Sequence, residues 1–495
     1  MTTGAFTTVP VAPLPFERFG EVLDEKELAE RLEVARRAAE LLRGRAVWCV
    51  NSTATGGGVA EMLRSLLAYT RGAGVDTRWL VLGGDSEFFL VTKRLHNRLH
   101  GASGDAEPLD DRARAAYDAI TQPAGRELRA LVSPGDVVIL HDPQTAGLAP
   151  ALRDAGVGVV WRSHIGVDDA DDGVREAWDF LLPYVAATDL QVFSRQRFTW
   201  DCLDRADVRI IPPSIDVFSA KNQALAPEAV AGILRVARLG DAGDPAAARF
   251  VREDGTSARV DRRATIIEDA PLRDGERVVA QVSRWDRLKD PVGVLSGFAE
   301  HAAPCCDAHL LLVGPSVAAV SDDPEGKAVL DEVSATWSAL PAGLRRRVHL
   351  VTLPMDDAEE NAAMVNAIQR RADVVIQKSL AEGFGLTVAE AMWKSRAMVV
   401  SGVGGIQDQV LDEVTGLVVG PRELAAFGQA VCRLLNAPDL AERLATAALE
   451  RVRLEFLEPR HMTQWVEVLE ALPMLAADYV PGGGSGPDGR PVGAS

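Results

Sequence analysis

The stretch Ser379-Leu380-Ala381-Glu382-Gly383-Phe384-Gly385-Leu386-Thr387-Val388-Ala389-Glu390-Ala391-Met392 decides the fold. The apolar run Val374 to Gln377 ahead of it has strand length, the glycines mark a turn, and a helix is predicted from about Thr387. Strand, turn and helix start make one βα unit of a parallel sheet, and such sheets bind ligands at the carboxyl ends of their strands. The turn over Gly383, Phe384, Gly385, Leu386 and Thr387 presents backbone donors there. Glu382 stands at the loop edge and Glu390 about one turn into the helix. A carboxylate accepts paired hydrogen bonds from vicinal hydroxyls, so two of them can hold two polyhydroxylated parts of a ligand. An ordinary helix start with a surface glutamate is the structural alternative.

The same rhythm extends to both sides. Strand-length runs recur at Val278, Leu310 to Val313, Val348 to Leu353, Met398 to Ser401 and Leu417 to Val419. An earlier series comprises Val47 to Val50, Trp79 to Leu82, Val137 to Leu140, Val157 to Trp161 and Val208 to Ile211. After the first of these, Val59, Met62, Leu63, Leu66 and Leu67 fall on one helical face. The expected fold is α/β, with two Rossmann-like, doubly wound parallel-sheet domains facing a cleft. Its divisions read as an amino-terminal extension (1–45), a first Rossmann-like domain (46–215), a linker with a hairpin-like excursion (216–276), a second Rossmann-like domain (277–455), closing helices (456–478) and a flexible tail (479–495). The hairpin is expected at Phe250 to Arg259, turning on Asp254-Gly255.

Composition bounds the function. The 495 residues suffice for two full cores, and 47% hydrophobic with 25% charged residues is the balance of a globular chain. A net charge of −18 argues against general affinity for nucleic acid or anionic membranes. The first twenty residues lack the pattern of a secretory signal, and no run reaches membrane-spanning length. Cys49, Cys202, Cys305, Cys306 and Cys432 form an odd set without metal-ligand spacing, and the adjacent pair does not readily close a relaxed bridge. These features read as a reducing, cytoplasmic setting.

Three further loops carry chemistry. Asn51-Ser52-Thr53-Ala54-Thr55-Gly56-Gly57-Gly58 follows a strand and opens a helix, so Gly57 and Gly58 allow an anion or a hydroxyl close to the backbone. It fits neither the P-loop nor the dinucleotide fingerprint, and read alone it also fits a structural tight turn. Ser283-Arg284-Trp285-Asp286-Arg287-Leu288-Lys289-Asp290-Pro291 places Arg284 and Lys289 where both can converge on one anion such as a diphosphate; a solvated charged loop is the alternative. His141-Asp142-Pro143-Gln144 and Arg162-Ser163-His164-Ile165 also end strands, although each permits a purely structural reading.

Together these segments resemble the retaining glycosyltransferases of the GT-B fold, family 4, whose signature of two glutamates separated by seven residues matches Glu382 and Glu390. Within that family Asn51-Ser52-Thr53, Glu87-Phe88-Phe89, Thr92-Lys93, His96-Asn97, His141 to Gln144 and Glu390 to Lys394 look like the trehalose synthases, over most of residues 45 to 475. The resemblance implies a nucleotide-sugar donor (ADP-, UDP- or GDP-glucose), a small sugar acceptor (glucose), no prosthetic group and no metal. It assigns Arg284 and Lys289 to the donor diphosphate, Glu390 to the ribose, Glu382 with its loop to the donor glucose, and Asp142 and His164 to the reacting sugars. It also implies that the helices around Pro459 to Leu472 cross back onto the first domain. The region Arg235 to Asp274 looks like extra sequence. A trehalose phosphorylase of the same family is the nearest alternative; a non-catalytic sugar-binding protein and an NAD-dependent enzyme are more distant ones. No nucleic-acid or membrane partner is expected, and oligomeric state, including a homodimer, is left open.

Overall fold

The computed structural model describes residues 2–55, 57–102, 105, 107–317 and 324–476. Gly56 and the tail expected to be flexible lie outside them. Two sheets organise the chain. In the first, Ala46–Asn51 is central, with Asp76–Leu82 on one side and Val137–His141, Gly158–Ser163, Leu190–Phe193 and Val208–Ile210 in succession on the other, all parallel. In the second, Val278–Val282 is central, followed outward by His309–Pro315 and Val348–Leu353 on one side and by Val374–Gln377, Ala397–Ser401 and Leu417–Val419 on the other. Helices cover both faces of these strands, and the central strands are buried along their whole length, which explains their unbroken apolar runs. The α/β architecture is therefore the doubly wound pair that the βα rhythm predicts.

In each sheet the chain order reverses at the central strand. A crevice opens at the carboxyl end of that strand, between it and the neighbour where the order turns. In the first sheet the loops concerned follow Asn51 and His141, and in the second they follow Val282 and Gln377. All four candidate loops stand at these reversals or one strand away.

Three features depart from the sequence reading. Residues 1–45, read as an extension, place Phe6–Val9 antiparallel against Asp76–Leu82 and so widen the first sheet. The strand Leu190–Phe193 was not foreseen, because Gln191 interrupts a four-residue run. The excursion is not separate from the second sheet: Thr265–Ile267 pairs antiparallel with Val348–Leu353 at its edge. Ahead of it, Arg249–Val251 and Ser257–Arg259 form the hairpin, with Gly255 at φ +82° in its turn. Phe250 is buried in the same apolar cluster as Ile233 and Val351, and Arg252 binds Asp357 and Glu359 on a neighbouring helix.

The helix Glu458–Glu470 packs on Glu25–Leu41 and Gly58–Gly72, burying Trp465, Val466 and Leu469 with Leu63, Leu66 and Trp79. Just before it, Ile215 N donates to Phe456 O at 2.9 Å, joining the linker to the returning chain. The cysteines are not all free: Cys305 and Cys432 form a disulfide across 127 residues of sequence. This corrects the expectation of an unpaired set, which rested on spacing along the chain; the fold brings distant residues to a Cα separation of 6.3 Å.

Asp136 pins the amino ends of two central strands. Its carboxylate accepts from Ala46 N at 2.8 Å, Trp48 Nε1 at 3.0 Å and Ser133 N at 3.0 Å. Asp136→Ala strands the two buried donors, Ala46 N and Trp48 Nε1, so urea denaturation is expected to show a loss of about 3 kcal/mol; a change within about 0.5 kcal/mol would mean that water replaces the carboxylate.

Candidate active site

The two crevices face each other closely. A Cβ built on Gly58, where the first sheet's glycine loop enters its helix, would lie 2.7 Å from Leu386 Cδ1 of the second sheet's loop. One on Gly383 would lie 3.3 Å from His164 O. Gly57 and Gly385 hold φ of +81° and +85°, a region where glycine alone carries no Cβ penalty, and each precedes a helix. The glycines thus turn the chain sharply and leave helix starts open toward the cleft.

On the first sheet's side, His141, Asp142 and His164 form one cluster. Asp142 adopts φ +64°, an uncommon conformation that Asp tolerates better than most residues, and this aims its carboxylate at the neighbouring strand end. Asp142 Oδ1 accepts from His164 N at 2.8 Å, and Trp161 Nε1 donates to Asp142 O at 3.1 Å. Burial raises the Asp142 carboxyl to about 7, against the opposing pull of the His164 amide and Arg162. The imidazoles of His141 and His164 stack at 5.4 Å, with His141 Nδ1 3.1 Å from His164 Nε2. Burial holds both well below the usual histidine range, His141 at about 3, so both rings are neutral. His141 Nε2 is buried without a partner. A bare ring nitrogen there costs less than a stranded N–H, so His141 Nδ1 donates to His164 Nε2. His164 then carries its proton on Nδ1.

The second sheet's side is charged. Lys289 Nζ forms an ion pair with Glu382 Oε2, and both side chains are mostly buried. Gln281 Nε2 donates to Lys289 O at 2.8 Å and Leu380 N to Leu288 O at 2.7 Å, so the two loops brace each other. Arg284 is 66% exposed and pairs with Asp286 at 3.0 Å. Arg284 and Lys289 thus do not grip one point in this arrangement, as the spacing alone suggested: each already holds a carboxylate, and Arg284 has room to swing. Phe384 is buried with its ring 5.7 Å from that of Phe456, so its side chain serves the core and only its backbone faces the loop. Thr387 Oγ1 donates to Gln377 Oε1 at 3.1 Å. Glu390 is 1% exposed, 3.5 Å from Lys221 Nζ, and its Oε2 has no partner.

Sequence reading gave no role to several residues at this cleft. His96 and His100 lie with their rings 4.8 Å apart; burial holds them near 3 and 4, with Arg284 acting on both and Lys289 on His100. Arg195 binds Asp168 and also Asp408 at 2.8 Å, clasping the two halves. Their partners are hundreds of residues apart in sequence or carry no motif. Among the described residues no group of three or more His, Cys, Asp or Glu is arranged to hold a metal, and no helix is long and apolar enough to cross a membrane.

This fold and its facing loops define a retaining glycosyltransferase of the GT-B class. The trehalose synthase N-terminal domain family matches residues 49–200 and the group 1 glycosyl transferases match 262–451. The chain is 32% identical to a trehalose synthase from Pyrococcus horikoshii, covering 92% of this chain and 96% of that one, and 34% identical to one from Rubrobacter xylanophilus, covering 88% and 94%. An α,α-trehalose-phosphate synthase (UDP-forming) from Burkholderia vietnamiensis shares the fold with a TM-score of 0.61 at 17% identity, covering 87% of this chain and 98% of that one. The chain belongs to the trehalose synthase family.

The raised Asp142 carboxyl carries a linkage consequence. Its folded value of about 7 exceeds the unfolded one near 4, so the folded state holds the extra proton between them. The associated stability is fully present below about pH 4 and is lost as pH rises toward 7, at no more than ~1.4 kcal/mol per pH unit. Asp142→Asn keeps the neutral shape, so its urea midpoint is expected to fall less than the wild type's between pH 5 and 7.5. Parallel curves would show that Asp142 is ionised throughout.

Proposed function

We propose that this chain transfers glucose from a nucleoside-diphosphate glucose to free glucose, with retention, forming trehalose reversibly. What carries the reading is the opposition of a buried hydrogen-bonding cluster, Asp142 with His164, to a charged loop pair, Lys289 with Glu382, at two switch points in contact. A sugar acceptor has hydroxyls and no charge, which suits the first. A diphosphate leaving group gains charge as the glycosidic C1–O bond breaks, which suits the second.

The ammonium of Lys289 has three donors, so its bond to Glu382 leaves two for diphosphate oxygens. Arg284 swings from Asp286 onto the same group. Glu382 and the backbone donors from Gly383 to Thr387 hold the donor glucose, Gly57 and Gly58 let the diphosphate approach the first helix start, and Glu390 holds the ribose. The acceptor oxygen bonds to C1 on the face the leaving group departs, and its proton passes to a diphosphate oxygen. Asp142 and His164 orient the acceptor. Closure excludes water, which would otherwise divert transfer into hydrolysis. The charge balance is met by side chains, so the reaction is read as independent of a metal.

Incubation with ADP-, UDP- or GDP-glucose and glucose, with and without divalent ions, is expected to yield a non-reducing α,α-linked disaccharide in step with nucleoside diphosphate. Formation of glucose 1-phosphate from trehalose and phosphate, with no product from any nucleotide sugar, would replace this reading with the phosphorylase. Lys289→Ala and Arg284→Ala are each expected to lower kcat by about 100- to 1,000-fold, the effect of removing one oriented donor to developing charge. Unchanged kcat in both would remove the diphosphate from this loop.

A further inference from the structure

We propose that Lys221, in the segment joining the two sheets, is a positioning residue for nucleotide binding: it anchors the Glu390 carboxylate to receive the ribose hydroxyls and ties it to Glu61 of the opposite half. The proposal rests on the reading of Glu390 as the ribose residue.

Lys221 Nζ lies 2.7 Å from Glu61 Oε2 and 3.5 Å from Glu390 Oε1. Glu61 belongs to Gly58–Gly72, the helix that the glycine loop opens, and Glu390 to Leu386–Trp393, the helix that the opposing loop opens. One ammonium therefore joins both ligand-facing helices. The backbone on either side of Lys221 is anchored: Trp393 Nε1 donates to Asn222 O at 3.3 Å, Arg370 Nη2 to Gln223 O at 2.9 Å, and Asn366 Nδ2 to Ala220 O at 3.1 Å. Lys394, whose ammonium burial pushes down to about 7, is spent elsewhere, on Asn222 Oδ1 at 2.9 Å and on the backbone oxygen of Glu390 at 3.1 Å. Lys221 is thus the cation that meets the Glu390 side chain directly, while Glu390 Oε2, buried and without a partner, is left to accept from a ligand.

An ionised carboxylate accepts hydroxyl protons at every lone pair and more strongly than a protonated one, which spends one oxygen on its own O–H. Burial raises Glu390, Glu61 raises it further, and Lys221 and Lys394 oppose them. Removing Lys221 shifts that balance toward the protonated form, so the damage is greatest at low pH and eases as pH rises.

The experiment is calorimetric titration of the full chain with ADP, UDP and GDP and their 2′,3′-dideoxy counterparts, from pH 5.5 to 9, for wild type, Lys221→Met and Lys221→Arg. Wild type is expected to favour the ribonucleotide. Lys221→Met should bind it about tenfold more weakly at pH 7, on the scale of one charge-assisted hydrogen bond, recover with rising pH, and leave the dideoxy affinity unchanged. Lys221→Arg should restore it. Wild-type affinity and pH profile in Lys221→Met would overturn the proposal, as would equal loss of ribo and dideoxy ligands, which marks a general structural role. If the wild type binds both ligand types equally or binds neither, the ribose reading fails and the proposal falls with it.

Discussion

Arg195 holds the two halves of the molecule in one geometry. Its guanidinium is 8% exposed and sits between Asp168, beyond the strand Gly158–Ser163, and Asp408, beyond the strand Ala397–Ser401. A cation so far from water is tolerable only while both carboxylates meet it, so the relative placement of the halves is coupled to the charge balance of this one group. Asp168 reaches further: Oδ2 accepts from Gly404 N at 3.2 Å and Gln407 Nε2 at 2.7 Å. Gly404 packs so tightly behind Glu382 that a Cβ there would collide with Glu382 O, and Gly405 N donates to Gly383 O at 3.1 Å. The clasp therefore sets where Glu382 stands, and through it where Lys289 points.

The two halves solve opposite electrostatic problems. Around Asp142 burial holds two imidazoles in the neutral form and raises the carboxyl to about 7, beside the buried Arg162 guanidinium, which burial lowers to about 9. Neutral groups select a ligand by hydrogen-bond direction and do not repel or trap charge. Across the cleft, Lys289 and Glu382 are paired and Arg284 remains in water. Lys289 is thus held by a neighbouring loop, whereas Arg284 stays at the surface beside Asp286.

The sequence carried the parts of this plan that are local. The buried strands announce themselves by unbroken apolar runs, and the glycine turns mark the switch points because only a bare backbone permits those φ values. Glu382 and Lys289 stood out at strand ends and meet in space. Leu190–Phe193 was hidden because Gln191 is polar yet buried, bonded to Thr188 Oγ1 at 3.0 Å, so its satisfaction cancels the signal that polarity sends. Phe6–Val9 was hidden because Thr7 and Thr8, side by side in a four-residue strand, are both exposed. Phe384 lies in the loop whose backbone donors the sequence marks, while its ring is buried in the core. Arg195, Asp168, Asp408 and Lys221 have no local signature at all. Their meaning depends on partners 27 to 239 residues away, as the bonds of Arg195 and Asp168 illustrate.

The two glutamates of the family signature differ in the same respect. Eight positions apart in one segment, they receive their cations from unrelated places: Glu382 from Lys289 in the loop after the second sheet's central strand, Glu390 from Lys221 in the joining segment. The first pair lies within one half, whereas Lys221 joins the second to Glu61 of the other half. One segment thus sets one carboxylate on a cation of its own domain and the other, a few residues later, on a cation shared across the cleft.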